Sequence, residues 1–361
     1  MEKKTYFTTQ ETALFSWYAH AQVWYSVRMK DPSKRVRKAT LMLIGTIIGA
    51  GLFGLPALFA GVGFWPGTMM FWFVACIVLL THLYYAEIIL HFKKRMRLVG
   101  YADTVLGTWG RVVMGISYPL QTIGVNLIYI ILGGAFLAAL LKGMGIGGPL
   151  WGWQLVFWGV GVLVVTLGLS FLAKVESVAT WLLIGSIVVC IVLAAGRWEM
   201  MLLPAAHWDR LFIPFGIFLF SLSGINVIPE LVEVTGRKPD DTRRAIVFGT
   251  LGAALLSWFF GIGLYLASGG QIGHEPTDLL LILPPVWSWL IPLVGLLAII
   301  TSYVTTADDL KETFRLDFHL PEWLAVVFAM GLPLALFGLQ RDFFTTIDFV
   351  GTIFGGLNCL F

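Results

Sequence analysis

Two short stretches hold the residues best suited to chemistry. The first reads Gly45-Thr-Ile-Ile-Gly49-Ala-Gly51-Leu-Phe-Gly54-Leu-Pro56, and the second runs from Phe220 and Ser221 through Ser223, Gly224 and Asn226 to Pro229 and Glu230. Inside a helix, glycine costs about 1 kcal/mol and proline about 3 kcal/mol relative to alanine, so both stretches mark helices that open. An opened helix frees backbone groups. The amides of Gly49, Ala50 and Gly51 would sit at the positive end of a half-helix and suit a carboxylate, while the carbonyls of Ile47, Ile48, Phe220 and Ser221 end half-helices and suit an ammonium. A zwitterionic amino acid satisfies both. Ser223 and Gly224 complete the second break, and Phe53 and Phe220 either close over such a ligand or fill the core.

These stretches lie in an exceptionally apolar chain. Of 361 residues, 58% are hydrophobic and 12% charged, against about 25% charged in ordinary soluble proteins, and the mean hydropathy is +0.84. The chain is therefore expected to be an all-α polytopic membrane protein. At about 20 apolar residues per crossing, roughly ten spans are expected, at 40–60, 67–90, 112–141, 151–172, 177–196, 211–235, 243–267, 285–307, 322–339 and 343–361. Residues 1–39 read as a cytoplasmic tail or an interfacial helix, with no removable signal peptide; 40–200 and 208–361 form two five-helix halves, each opening on a broken helix. Paired discontinuous helices in inverted repeats place a substrate site at the membrane midplane.

The basic residues orient these spans. With the N-terminus inside, they fall in the tail, after span 2 (Lys93, Lys94, Arg95, Arg97, Arg111), at Lys174, after span 6 (Arg237, Lys238, Arg243, Arg244) and after span 8 (Lys311, Arg315). Only Lys142, Arg197, Arg210 and Arg341 are left outside, and basic residues are retained on the cytoplasmic side. The lipid bilayer of the plasma (inner) membrane is the expected surrounding. A net charge of +3 with no basic stripe disfavours nucleic acid as a partner. Cys76, Cys190 and Cys359 are too scattered for a disulfide framework or a zinc site.

Among acids within spans, Glu87 and Glu230 are candidates for proton coupling, since intramembrane charge is costly without a partner. Glu230 lies beside the second break and could also serve in gating. Glu233 is expected to pair with Arg237 or Lys238, and Asp308 and Asp309 to lie solvated at the membrane rim. His82, alone in span 2, reads as a satisfied core residue. The chain lacks Gly-x-Ser-x-Gly and His-Glu-x-x-His motifs, which disfavours an enzyme, and span 1 lacks the acidic ligands a divalent cation would need.

The first stretch, together with Ala86-Glu87-Ile-Ile-Leu90, Leu219 through Glu230 and Leu310-Lys-Glu-Thr-Phe-Arg-Leu-Asp317, resembles the amino acid/polyamine/organocation superfamily, above all its amino acid/auxin permease and aromatic amino acid permease branch. The resemblance covers about residues 40–361. It implies a LeuT-type five-plus-five inverted repeat that transports amino acids by alternating access, with no organic cofactor. By the same resemblance, the glycines around Gly49, Ala50 and Gly51 hold the substrate carboxylate, Phe220 occludes it, and span 3 contributes Asn126 and Tyr129. The sodium site of some relatives maps onto Gly45, Ile48, Ala298, Thr301 and Ser302, although many members of this branch use protons. Relatives commonly carry at least one further helix after the tenth apolar segment, within which this chain ends. The substrate expected is a neutral amino acid, aromatic ones included, because no charged side chain is clearly placed to select an acidic or basic one. A non-transporting amino-acid receptor of the same fold is the alternative. A bulkier residue at Gly51 is expected to abolish binding and leave the protein folded.

Overall fold

The computed structural model describes residues 31–167, 170–196, 206–268, 272, 287–340 and 342–360. Residues 1–30, and with them most of the expected tail, lie outside the described residues, as do Arg197, Arg341 and the side chain of Lys174. Every regular element among the described residues is helical.

The first helix, α1 (Pro32–Ile47), begins ahead of residue 40, inside the segment expected to be tail. Its charged first two turns kept it below a hydropathy threshold, yet Asp31 caps it by accepting a hydrogen bond from the Ser33 amide at 2.9 Å, and Pro32 occupies the first turn. After Ile47 the chain leaves the helix. Ile48 and Gly49 are non-helical, a 3-10 turn spans Ala50–Gly54 and runs into α2 (Leu55–Val62), and the segment Ala50–Val62 lies at 49° to α1. Then follow α3 (Phe64–His91), α4 (Leu98–Gly143), α5 (Leu150–Leu167) and α6 (Ser170–Ala195). In α4 the first turns are set off by a kink at Gly107, whose φ of 66° lies in the left-handed region that glycine adopts without steric cost.

The second interrupted helix is α7 (Phe215–Leu222), non-helical Ser223 and Gly224, a 3-10 turn Ile225–Val227, and α8 (Ile228–Val234) with Pro229 in its first turn. Among the described residues there follow α9 (Pro239–Ala267), α10 (Trp287–Leu316), α11 (Glu322–Phe337), α12 (Phe343–Phe349), a π turn at Val350–Gly355 and α13 (Gly356–Leu360). Among the described residues, 6 helical stretches are long and apolar enough to cross a membrane, or 7 with the bent α1–α2 pair. The helices at Leu150–Thr166, Thr180–Ala195 and Glu322–Phe337 are apolar but shorter.

Helices in lipid gain little from burying apolar surface against one another and associate through close packing at small residues. That pattern holds here: a Cβ on Gly133 would lie 2.6 Å from the Phe157 ring, and one on Gly249 would lie 2.8 Å from Leu43. Beside the first break, Phe53 packs edge-on against Phe136 at 4.7 Å and Phe260 at 5.7 Å between ring centroids. The α1 N-terminus and the links 92–97, 235–238 and 317–321 share one end of the bundle, joined by Arg35–Asp241, by Arg237 bonding the carbonyls of Ile89 and Phe92, and by Arg97 reaching α8 and α10. We call this end the near side.

Candidate functional site

The two interruptions lie against each other in the middle of the bundle. A Cβ on Gly51 would fall 2.6 Å from the Ser221 Cα, and one on Gly224 would fall 2.8 Å from Ile47. Between them and α4 and α10 lies a cavity of about 40 Å³, lined by Thr46, Tyr118, Gln121, Thr122, Val125, Tyr129, Phe220, Ser223, Ile225, Asn226 and Thr306. Among the described residues no charged side chain lines it. It offers hydroxyls and amides from four directions, which suits a small polar ligand without net charge.

The residues nominated from sequence meet this cavity unevenly. Phe220 and Ser223 line it directly, and so does Tyr129, whose hydroxyl sits over Gly49 beside Ser302. Ile47, Ile48, Gly49, Ala50 and Gly51 form the buried break adjoining it. Ser221 donates to the Ile217 carbonyl at 2.6 Å and backs against Gly51. Phe53 is 1% exposed and belongs to the aromatic packing between α4 and α9. Asn126 is fully buried, and both polar ends of its side chain lack a hydrogen-bond partner.

Sequence reasoning missed Tyr118, Gln121, Thr122 and Val125. With Tyr129 these recur every three or four residues along α4, the spacing of one helical face. That periodicity of polar residues inside an apolar span was the available signal. Asn226 was noticed only as part of a break; its amide donates to Thr306 at 3.0 Å and ties the second interruption to α10.

Of the proposed ion ligands, Ser302 donates to the carbonyls of Ala298 at 3.0 Å and Gly45 at 3.3 Å, so these oxygens converge. Thr301 turns its hydroxyl to Leu297 and Ala298 in its own helix. The hard oxygens of Gly45, Ala298 and Ser302 fit a monovalent cation in kind, and the Thr301 hydroxyl meets this group at the Ala298 carbonyl. Among the described residues no group of His, Cys, Asp and Glu is placed to hold a metal ion.

Below the cavity, toward the near side, the charges concentrate. Arg97 is 2% exposed and meets Glu230 at 2.6 Å and Asp309 at 3.2 Å. Arg95 approaches Glu230 at 3.5 Å, and the Tyr118 hydroxyl donates to Asp309 at 2.5 Å. Asp317 holds the segment that carries Arg97 by accepting the backbone amides of Arg97 and Gly100 at 3.0 and 2.9 Å. Tyr118 therefore touches both the cavity and the ionic cluster.

The expectation that Asp308 and Asp309 are solvated is corrected. Both are buried, because α10 runs on to Leu316 and faces them inward, Asp309 toward Arg97 and Asp308 toward Lys311 at 2.5 Å. Glu87 lies on the exposed face of α3 and does not line the cavity. Glu233 pairs with Arg237 at 2.6 Å. His82 is satisfied from outside its own helix, by the second interruption and by α9: Nε2 accepts the Gly224 amide and Nδ1 bonds the Thr250 hydroxyl, each at 3.0 Å.

Several solved structures share this architecture at 13–15% identity, a likeness of fold. A nucleobase-cation-symport-1 family transporter, MHP1, closed with bromovinylhydantoin bound, matches with a TM-score of 0.65 over 86% of this chain and 74% of its own, at 14% identity. MhsT in complex with L-phenylalanine matches at 0.58 over 89% and 86%, at 15% identity. A Na+-coupled sialic acid symporter in a substrate-bound outward-open state matches at 0.59 over 96% and 84%, at 13% identity.

By sequence, the chain is 26% identical to a tyrosine permease of Enterobacter agglomerans over 64% of its length and 25% identical to a tryptophan-specific transport protein of Pseudomonas aeruginosa (strain UCBPP-PA14) over 62%. These matches span 58% and 55% of the relatives' own lengths. The family model described as transmembrane amino acid transporter protein matches residues 33–308. These residues include both interruptions, the cavity, and Arg97 with Glu230, and the chain belongs to that family of multi-pass membrane transporters.

Proposed function

We propose that this chain is a secondary active transporter of neutral, aromatic amino acids, built as ten transmembrane helices in a five-plus-five inverted repeat and working by alternating access. The repeats are 40–200 and 208–361, in the plasma (inner) membrane with the N-terminus cytoplasmic. The near side is then the cytoplasmic side. The observation that carries this reading is the pairing of the two helix interruptions around a polar but uncharged cavity, where Gly51 backs onto Ser221.

The freed amides of Gly49, Ala50 and Gly51, with the Tyr129 hydroxyl, hold the carboxylate; carbonyls ending α1 and α7, with Ser223, hold the ammonium. Asn126 lacks any partner in this state and meets the substrate when the cavity widens. Widening is required, since about 40 Å³ admits roughly two or three waters. Phe220, at the cavity wall, is the occluding ring. The Arg97–Glu230–Asp309 cluster closes the cytoplasmic side, which assigns Glu230 to gating, and Glu87 stays at the headgroup surface. An aromatic substrate is supported by the names of both relatives and by the L-phenylalanine complex of the same fold.

Uptake of a labelled amino-acid panel into proteoliposomes tests the reading. Phenylalanine, tyrosine or tryptophan should accumulate against its gradient when an inward proton or sodium gradient is imposed; accumulation of no amino acid under either gradient sinks it. The coupling cation is H+ or Na+, and Ser302→Ala separates them. With sodium coupling, the sodium concentration for half-maximal uptake should rise about tenfold, the equivalent of about 1.4 kcal/mol. With proton coupling, uptake in the variant should keep its response to the proton gradient.

A further inference from the structure

The interruption between α7 and α8 is held by a side chain that the transport reading leaves unused. The Gly224 amide can only donate, so His82 Nε2, 3.0 Å away, must be the unprotonated acceptor. A neutral imidazole carries one proton, which is then on Nδ1 and is donated to Thr250 Oγ1 at 3.0 Å. His82 on α3 thus joins α9 to the broken helix in one defined tautomer.

A small recess adjoins His82 and shares Gln121, Ser223 and Ile225 with the central cavity, so these three side chains stand between the two. Facing His82 in this recess are Gln121 from α4, Asn358 and Cys359 from α13 and Ser223 from the interruption, with Thr250 from α9 on the other ring nitrogen. Cys359 is the one titratable group among them. No Asp, Glu, Lys or Arg lines the recess among the described residues.

We propose that His82 is the proton-binding residue of the transport cycle, and that protonation at Nε2 releases the Gly224 amide and frees the interrupted helix to rearrange. The proton passes from hydronium in the widened cavity to the Nε2 lone pair. A water remains, an Nε2–H bond forms, and the Gly224 N–H···Nε2 hydrogen bond is lost because two donors then face each other. With no acid in the recess to balance an imidazolium, the charged form persists only when the recess is hydrated. Proton binding and opening of the substrate site therefore favour each other, a reciprocity that linkage requires. This inference rests on the transport reading for its purpose and on the His82–Gly224 geometry for its content.

The test uses the full chain in nanodiscs and His82→Gln, whose side-chain oxygen can accept the Gly224 amide and whose NH2 can donate to Thr250, but which cannot titrate. After correction for intrinsic exchange rates, hydrogen exchange in peptides covering 219–228 should be about tenfold faster at acid than at neutral pH in the wild type, the size of a typical allosteric coupling. In His82→Gln it should not vary with pH. Thr250→Val, which removes the acceptor for Nδ1–H, should move the wild-type transition to lower pH. Exchange independent of pH in the wild type overturns the inference, as does a pH response that survives in His82→Gln. If His82→Gln does not fold, an unmoved midpoint in Thr250→Val overturns it instead. None of these outcomes needs transport, so a wild type that moves no amino acid counts against the transport reading alone.

Discussion

Replacing Arg97 with methionine is expected to be the most damaging single change outside the cavity. Arg97 is 2% exposed and is the buried cation that meets both Glu230 and Asp309, while Arg95 reaches only Glu230, at 3.5 Å and partly in solvent. Removing it leaves two carboxylates facing one another away from water. Breaking a buried pair in this way typically costs about 3–5 kcal/mol. At about 1.4 kcal/mol per factor of ten, the closed arrangement loses roughly a hundredfold or more in population relative to any state that hydrates the acids. The Arg97→Met protein should therefore melt well below the wild type, show faster hydrogen exchange in residues 228–234 and 305–316, and lose most of its uptake. Neutralising the acids as well, in Arg97→Met/Glu230→Gln/Asp309→Asn, should recover much of the melting temperature, because an uncharged cluster pays no penalty for stranded charge. Closure that depends on charge would not return with it. A single variant with wild-type melting and uptake would overturn the role given to the cluster.

The cluster also shows what a sequence of this kind reveals and what it conceals. The interruptions at 48–49 and 223–224 were legible because Gly, Ser and Pro inside an apolar run carry a local conformational cost that needs no knowledge of neighbours. Hydropathy located most of the helices for a similar reason. It missed the start of α1 because Pro32 to Lys38 is charged, although Asp31-Pro32-Ser33 is a helix-start signal that hydropathy does not weigh. Arg97, Glu230 and Asp309, in contrast, come from three distant segments, and nothing local to any of them names the other two. Asp309 read as solvated because its neighbours in sequence are charged, whereas its neighbours in space are Arg97 and Tyr118. His82 was harder still: its Nε2 partner is a backbone amide, which leaves no mark on residue identity at all. The candidate site was thus legible where it is made of broken backbone, and hidden where it is made of long-range pairs.

The second large effect concerns which glycine reports on the substrate. The expectation that a bulkier residue at Gly51 leaves the protein folded does not fit the packing: its Cβ would fall 2.6 Å from the Ser221 Cα, a backbone atom that cannot rotate away. Gly51→Val should therefore drive the two interruptions apart and lower stability together with binding. Overpacking of this kind typically costs about 1–3 kcal/mol. Gly49 is the cleaner probe. A Cβ there would meet the Tyr129 hydroxyl at 2.9 Å and the Ser302 hydroxyl at 3.3 Å, both at the ends of side chains that can yield. Gly49→Ala should keep the melting temperature near that of the wild type while displacing the Tyr129 hydroxyl from the freed amides. The loss of one charge-assisted hydrogen bond, about 1.5–3 kcal/mol, corresponds to a weakening of substrate binding by about tenfold or more. Tyr129→Phe should weaken binding to a similar degree, and combining it with Gly49→Ala should add little, because both changes remove the same contact. Melting curves and binding isotherms of the four proteins decide the matter. Full additivity of Gly49→Ala and Tyr129→Phe would place the carboxylate away from the Gly49 amide, and a Gly51→Val protein that melts normally would show that the two breaks are not in contact as described.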